Sequence, residues 1–300
     1  MTNLKDWLTK GREEGFAIGA FNAANLETVK AIVAAAKATQ SPVIIEASQG
    51  EAGYFGFKNF LAVVGNFKEE TGLPIFTNLD HGRDIDIVET AIDLGFDMVH
   101  FDGSDLSFEE NLKAAIQLTN LAHQSGVLIE TEFEKIMGSS QLHEQSASEF
   151  QVKGEYTDPN RAEEAVMKTG TDVLAISVGN LHGVYQGSEE LDLSRLEEIV
   201  KKTSCFLSMH GGSGIDREHL KKAIGLGVVK VNINTDLRLA YRETLENVLK
   251  GSDEVKIYKL MLPVIGAVQK IVEEKIRFFG SSNRVGEADQ IPKIKVENNV

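Results

Sequence analysis

Seven histidines occur in this 300-residue chain, and three of them stand directly before a glycine: His81-Gly82, His182-Gly183 and His210-Gly211. Each of the three lies at or just beyond the end of an apolar run. Two acids are placed in the same way, Asp102 in "FDGSD" and Glu132 in "IETEF", and Asp80 immediately precedes His81 in "NLDHGRD". Three imidazoles that leave one coordination position open are what a catalytic zinc needs, at Zn–N distances of about 2.0–2.1 Å. Asp102 and Glu132, as hard oxygen donors, could hold a second metal position or orient the ring nitrogens from behind. Any one strand-end histidine is more often a hydrogen-bonded core or loop residue; only the set of three points to a metal. The other four look different, His123 and His219 falling in helical stretches, His143 in a long polar segment and His100 inside a strand. Glu130, one pleat deeper than Glu132, is assigned no more than a supporting hydrogen bond.

Bringing distant residues to one place requires a repeating scaffold. Eight short β-rich apolar runs supply it: Phe16–Phe21, Val43–Ala47, Pro74–Leu79, Met98–Phe101, Val127–Glu132, Val173–Val178, Phe206–Met209 and Val228–Ile233. Between them the apolar period changes to that of helices, as in Phe108–His123, where Phe108, Leu112, Ala115, Ile116 and Ala122 fall on one face. Ser107 and Glu110 make a capping box at its start, and Ser125-Gly126 supplies its stop. Eight strands separated by helices predict a parallel sheet closed into a (β/α)8 TIM barrel, a fold of about 250 residues. The single domain is expected over residues 1–285, closed by a helix over Pro263–Phe279, with a polar tail over 286–300. Chemistry in such barrels sits at the C-terminal ends of the strands, which is where the histidines and acids fall. Asp80 and His81 pose one difficulty: neighbours on a regular strand face opposite ways, so this pair has to lie where the strand twists out of register at Gly82.

Composition excludes several functions. Thirty-one Lys and Arg against 45 Asp and Glu give a net charge of −14, which argues against nucleic acid or an anionic membrane surface as partner. The charged start, "MTNLKDWLTKGREEGF", lacks the apolar core of a secretory signal, and no apolar run approaches the roughly 20 residues that span a bilayer, so a cytoplasmic protein is expected. The lone Cys205 rules out an internal disulfide and reads as a small buried hydrophobe.

Two clusters follow the last strands, "HGGSG" (His210–Gly214) and "NINTD" (Asn232–Asp236). Barrels of this kind bind phosphate with the loops after strands seven and eight, where free N–H groups and a helix N-terminus converge. Gly211, Gly212 and Gly214 permit close approach there, and Ser213 and Thr235 add hydroxyls. The longest stretch with no regular period, Glu134–Tyr156, follows the fifth strand and reads as an unstructured lid.

With these motifs in hand, the chain from Ala20 to Gly280 resembles the class II, metal-dependent ketose-bisphosphate aldolases, which act on fructose or tagatose bisphosphate. The resemblance is carried by "AFNAANLE" at 20, "LDHG" at 79, "DGSDLSFEEN" at 102, "YTDP" at 156, "VGNLHGVY" at 178, "HGGSG" at 210, "KVNINTD" at 230 and "RFFGSSNR" at 277. It implies that His81, His182 and His210 bind a catalytic Zn2+, that Asp102 and Glu132 match an alternate metal position, and that Asp80 transfers the proton. It implies further that Gly183, Gly211, Gly212, Ser213, Asn232, Asn234 and Thr235 surround dihydroxyacetone phosphate, with Asn22 and Ser48 near its site. A monovalent cation, a phosphosugar substrate and a homodimer or homotetramer complete what the family leads one to expect.

Such an enzyme cleaves the C3–C4 bond of a ketose bisphosphate and stores the electrons as an enediolate, which a Lewis acid stabilises, while a carboxylate moves the proton of the C4 hydroxyl. The chain departs from the family in "EFEKIMGSSQLHE", where Glu134 replaces a usual glycine and no adjacent Glu-Asp pair follows; Glu144 is the substitute acid offered by sequence. "TNLDHG" also lacks the histidine often found two places before the aspartate, and Arg284 is the candidate for a distal phosphate. Three alternatives remain open on the residues: a Schiff-base aldolase using Lys230, an aldolase for another phosphorylated ketose, and a phosphosugar-binding barrel with reduced catalysis. A barrel-type metal hydrolase is disfavoured, because "AIGAFN" has no His-x-His pair.

Overall fold

A computed structural model describes residues 3–151, 155–187, 189–286 and 289–290. Its strands are β1 (Ile18–Asn22), β2 (Val43–Ser48), β3 (Ile75–Gly82), β4 (Met98–Asp102), β5 (Leu128–Glu132), β6 (Gly138–Ser146), β7 (Val173–Ala175), β8 (His182–Gln186), β9 (Phe206–Met209) and β10 (Val228–Ile233). Eight of them close a barrel in the order β1-β2-β3-β4-β5-β7-β9-β10, every pair parallel, as the eight apolar runs predict. Helices fill the connections, and the helix Phe108–Gln124 begins at Ser107 with the expected capping box. Its inner face is one position off the expected one: Asn111, Ala114, Ala115, Leu118, Thr119 and Ala122 are buried, while Leu112 and Ile116 are half-exposed. The polar Asn111 takes an inner place because its amide donates to the Glu132 carbonyl at 2.9 Å. The last helix runs Ile257–Phe278, so Pro263 lies inside it rather than at its start. Most of the 286–300 tail lies outside the described residues.

The lid is where the structure corrects the sequence reading. Glu134–Tyr156 was expected to lack regular structure, yet β6 pairs in parallel with β8 and a short helix, Ala147–Gln151, follows. Side-chain stacking explains this. Tyr185 lies flat on His143, with centroids 4.2 Å apart and planes 4° apart, and Phe150 packs at 5.0 Å. Ala147, Leu181 and Tyr185 form a satellite apolar cluster under the strap. No two-fold apolar alternation marks β6, so no strand signal is present in its residues. The strap continues to Glu189, which is buried and accepts the Leu181 N–H at 2.8 Å through one oxygen while the other has no partner. Burial pushes its carboxyl up to about 8.

The difficulty at Asp80-His81 is resolved by a bulge. Leu79 pairs with Val99 and Gly82 with Phe101, so two residues of β3 face the single His100 of β4. His81 takes the left-handed conformation, φ 47°, which costs a non-glycine residue roughly 1–3 kcal/mol. Both neighbours are thereby released from strict alternation.

Inside the barrel the core is polar along one level. Lys230 is fully buried, and its ammonium lies 2.8 Å from Glu130, 2.6 Å from the Asn232 carbonyl oxygen and 3.7 Å from Glu46. Although burial alone would lower it, Glu130, Glu46 and Asp80 raise the Lys230 pKa above its ordinary value. Removing one partner from such a buried set strands the opposite charge. Lys230→Met is therefore expected to cost about 3–5 kcal/mol in denaturant unfolding, and a loss under 1 kcal/mol would contradict this role.

Glu189 generates a pH prediction. Its folded pKa near 8 exceeds the ordinary value of 4.5, so between these the folded chain holds a proton the unfolded chain has lost. The stabilising contribution is complete below about pH 4.5 and disappears as pH rises through 8. Relative to wild type, Glu189→Gln should gain melting temperature steadily from pH 5 to about 8.5; parallel melting curves across that range would refute the assignment.

Candidate active site

The C-terminal ends of the barrel strands converge on a cavity of about 210 Å3 whose lining includes Asp80, His81, His182, His210, Asn232 and Asn234. The nearest ring nitrogens of His81 and His182 lie 3.2 Å apart. The His210 ring centroid is 4.6 Å from that of His81 and 5.9 Å from that of His182. Three imidazoles from three parts of the chain therefore meet at one rim.

Two of the three rings, His210 and His81, are held from behind. His210 Nε2 meets Glu130 at 2.8 Å, leaving Nδ1 toward the cavity, and Glu130 also accepts the Ser208 hydroxyl at 2.5 Å. His81 Nδ1 meets Asp102 at 3.0 Å and lies 3.7 Å from Glu132, leaving Nε2 toward His182. Asp102 is further engaged by Arg83 Nε at 2.9 Å and the Ser104 hydroxyl at 2.6 Å. Burial, then the neighbouring His81, lowers His182 to about 3, and burial holds His210 well below its ordinary value despite Glu130. Both are neutral at neutral pH, the state in which imidazole ligates a metal.

The donor set fits a divalent ion. Ligands of a tetrahedral zinc at about 2.0–2.1 Å stand roughly 3.4 Å from one another, close to the separation of the two ring nitrogens. Two lone pairs facing each other at 3.2 Å without a cation or proton between them would repel. Asp80, His81, His100 and His210 also present ligand atoms within 4.8 Å of one another, as do His81, Asp102 and Glu132. Saturation of Asp102 by Arg83, Ser104 and His81 suits it to orienting His81. Glu132, raised above its ordinary value by burial and by Asp102, faces the same ring.

Asp80 is buried at the centre of the set. One oxygen accepts the Asn22 amide at 3.0 Å, and the other accepts Asn232 at 3.1 Å and lies 3.8 Å from His210 Nδ1. Burial alone would raise its pKa, but His81, His100, His210 and Lys230 together hold it well below the ordinary range. It is an ionised carboxylate with a proton to accept.

Beside the imidazoles lies an anion cradle. Gly183 and Gly211 have φ of 114° and 72°, conformations that favour glycine, and a Cβ on Gly211 would sit 1.9 Å from the Leu181 carbonyl oxygen. Ser213 accepts the Asp236 N–H at 3.3 Å, joining this loop to the helix Thr235–Lys250, whose first residue also lines the cavity. These backbone amides and the helix N-terminus have the form of a phosphate site.

Besides the acids Asp102 and Glu132, which stand behind His81, two expected substrate-binding residues, Ser48 and Gly212, lie outside the lining. The Ser48 hydroxyl is spent on Glu51 at 2.9 Å as the cap of the helix Gln49–Phe55. Gly212 donates to the Asn232 carbonyl at 3.1 Å and packs on β10. Glu144 is exposed and Ser139 and Ser140 line the cavity in its stead. Arg284 is at the opposite end of the barrel, paired with Glu14 and stacked on Phe16 at 4.7 Å. Cys205 is partly buried one residue before β9.

Other contributors escaped the sequence reading. His100 is fully buried, accepts the His81 N–H at 3.2 Å and lies 3.5 Å from Glu132; its parity with Asp102 on one strand was the available signal. Glu46, pushed up to about 8 by burial and by Asp80, binds Asn78 and Asn232. Asn78 occupies the place where the family often has histidine. Lys230, with its raised pKa and three buried partners, is unlike a Schiff-base nucleophile, which needs a depressed one.

Comparison with known proteins agrees with this geometry. The family model "Fructose-bisphosphate aldolase class-II" matches residues 2–284. A fructose-bisphosphate aldolase of Geobacillus stearothermophilus is 35% identical, covering 96% of this chain and 99% of its own. One from Staphylococcus aureus is 34% identical, with coverage of 95% and 99%. The crystal structure of the YdjI aldolase from Escherichia coli K12 superposes with a TM-score of 0.80 at 29% identity, covering 95% and 99% of the two chains. Strands, rim histidines and relatives lead to one statement: the chain belongs to the class II fructose-bisphosphate aldolase family.

Proposed function

We propose that this protein catalyses the reversible aldol cleavage of a ketose bisphosphate, fructose 1,6-bisphosphate or its C4 epimer tagatose 1,6-bisphosphate, to dihydroxyacetone phosphate and glyceraldehyde 3-phosphate. The observation that carries the reading is Asp80, ionised and buried, beside three converging imidazoles and a glycine-lined anion cradle. A divalent cation held by His81, His182 and His210, for which zinc is the best match to the donors, would polarise the ketone oxygen as a Lewis acid.

The chain's own residues supply the rest. The amides and hydroxyls of Gly183, Gly211, Ser213 and Thr235 hold the C1 phosphate, which fixes the reacting carbons relative to Asp80. Asp80 takes the proton of the C4 hydroxyl as the C3–C4 bond breaks and returns it in condensation. Asn22 and Asn232 keep its two oxygens in place. Asp102 and Glu132 orient His81, and the β6–β8 strap, bringing Ser139 and Ser140 to the cavity, limits water. A monovalent cation beside the cradle fits the unpartnered oxygen of Glu189, which sits against Gly214 near the Gly183 carbonyl.

A second reading, cleavage of another phosphorylated ketose, is favoured by one contact: Arg238 near the cavity is already paired with Glu51 at 2.6 Å. We take residues 1–285 as the working unit, in line with the family match over 2–284. A cytoplasmic location agrees with there being, among the described residues, no helix long and apolar enough to cross a membrane. Pairing of copies as a homodimer or homotetramer is supported by exposed Val255, Ile257, Tyr258 and Leu262 beside one another on the chain; light scattering that returned a single-chain mass would refute it.

The decisive assay is triose release from each bisphosphate by zinc-loaded protein. Chelation should abolish turnover and added Zn2+ restore it, while borohydride with substrate should trap nothing. Asp80→Ala should lower kcat by about 10^2–10^4 with metal content unchanged by elemental analysis. Loss of the metal in that variant would overturn the division of labour between Asp80 and His81.

A further inference from the structure

We infer that, on the aldol reading above, Glu51 is a positioning residue for the reaction: it fixes the Asn22 amide, and that amide in turn fixes one oxygen of Asp80. Glu51 walls a neighbouring chamber of about 230 Å3, whereas Asn22 walls both that chamber and the catalytic cavity. Glu51 therefore acts at one remove from the reacting atoms, through Asn22.

A single nitrogen carries the connection. Asn22 Nδ2 donates one hydrogen to Asp80 Oδ2 at 3.0 Å and the other to Glu51 Oε2 at 2.9 Å. An asparagine amide left to one partner can turn about its last torsion, and a half turn would set its carbonyl oxygen against the carboxylate it should hold. With a carboxylate on either side of the nitrogen, only one orientation satisfies both, and hydrogen bonds to carboxylates are the stronger kind. Glu51 can impose this because it is itself fixed. The Ser48 N–H and hydroxyl each meet Glu51 Oε2 at 2.9 Å, within the capping box of the helix Gln49–Phe55, and Arg238 Nη2 meets Oε1 at 2.6 Å. Only 11% of the Glu51 side chain is exposed, so it is not free to swing. Arg238 Nη1 also donates to the Ser140 carbonyl at 3.3 Å, so hydrogen bonds run unbroken from the strap to Asp80.

The other oxygen of Asp80 is held in the same way. Asn232 Nδ2 donates to Asp80 Oδ1 at 3.1 Å and to Glu46 Oε1 at 2.8 Å. Each oxygen of Asp80 thus faces an asparagine amide that a glutamate secures from behind. Glu46 is fully buried and lies beside Lys230; Glu51 is its counterpart at the rim. Two arms from different sides set the plane of the carboxylate, and a proton acceptor needs that plane, because misplacement by an ångström can cost about 10^2 in rate.

The test is a double-mutant cycle on cleavage of fructose or tagatose 1,6-bisphosphate by zinc-loaded full-length protein. Glu51→Ala should lower kcat by about tenfold or more. Asn22→Ala keeps the Asn232 arm and with it measurable turnover. Adding Glu51→Ala to that background should cost less than about twofold, because the amide through which Glu51 acts is gone. Glu51→Gln should restore kcat to within about threefold of wild type, since it keeps an acceptor oxygen toward Asn22 and turns its nitrogen to the exposed Arg238, which can move aside. An undiminished kcat in Glu51→Ala, equal losses in the two backgrounds, or a Gln variant as slow as the Ala one would each overturn the inference. So would a Glu51→Ala protein that has lost its zinc by elemental analysis or its cooperative melting transition, which would make Glu51 a residue of the fold alone. Wild type that cleaves neither bisphosphate sinks the aldol reading and this inference together, whereas cleavage with additive losses sinks this inference only.

Discussion

The ammonium of Lys230 inside the barrel is the interaction on which the site depends. Two chains of contact leave it. One runs through Glu130 to Ser208 and His210, across from β10 to β5 and β9. The other runs through Asn232 to Glu46 and Asp80, reaching β2 and β3. His210 and Asp80, the proposed metal ligand and proton-transfer carboxylate, are thus oriented by the same buried cation. Such a network lets each member be fixed only while all are satisfied, since an unpaired charge at that depth would cost several kcal/mol. The barrel provides the low-dielectric enclosure, and the lysine makes its polar interior tenable.

Strain plays the complementary part at the rim. A regular strand would turn Asp80 and His81 to opposite faces, and chemistry needs them on one. The bulge against His100 and the left-handed His81 solve this locally. What keeps the strained residue in place is visible around it: His100 accepts its N–H, Asp102 takes one ring nitrogen, and Asp80 is pinned by two amides. Backbone cost is accepted because four side chains over-determine the result.

How far the sequence could be read depended on the range of the signal. The eight strands were legible because each is a short apolar run ended by a turn, and the rim histidines because a strand end plus a glycine is a local pattern. His100 was not, since its position inside a strand looks like core and only its parity with Asp102 hints otherwise. The pairing of β6 with β8 was invisible, because it rests on Tyr185 stacking over His143, a contact between residues far apart with no apolar period in either segment. Arg284 misled for the same reason. A lone arginine near a family motif has no local mark that tells which end of the barrel it will reach, and Phe16 and Glu14 draw it to the wrong one.

The balance of charge at the rim finally explains why a divalent cation there would serve the fold as well as the proposed chemistry. Asp80, Asp102, Glu130, Glu132 and Glu46 are all buried within a few side chains of one another, against one buried lysine and the rim imidazoles. Part of this excess is relieved by protons, since burial keeps Glu46 raised to about 8 and Glu132 above its ordinary value. The two neutral imidazoles, His182 and His210, contribute no compensating charge. A divalent cation bound by their free nitrogens would place two positive charges next to Asp80 and draw in the acids that otherwise repel. Because only the folded barrel assembles those nitrogens, the binding free energy adds to the stability of that state. The acidity that crowds the rim is the same feature that would favour a cation there, so the proposed chemistry and the folding draw on one set of residues.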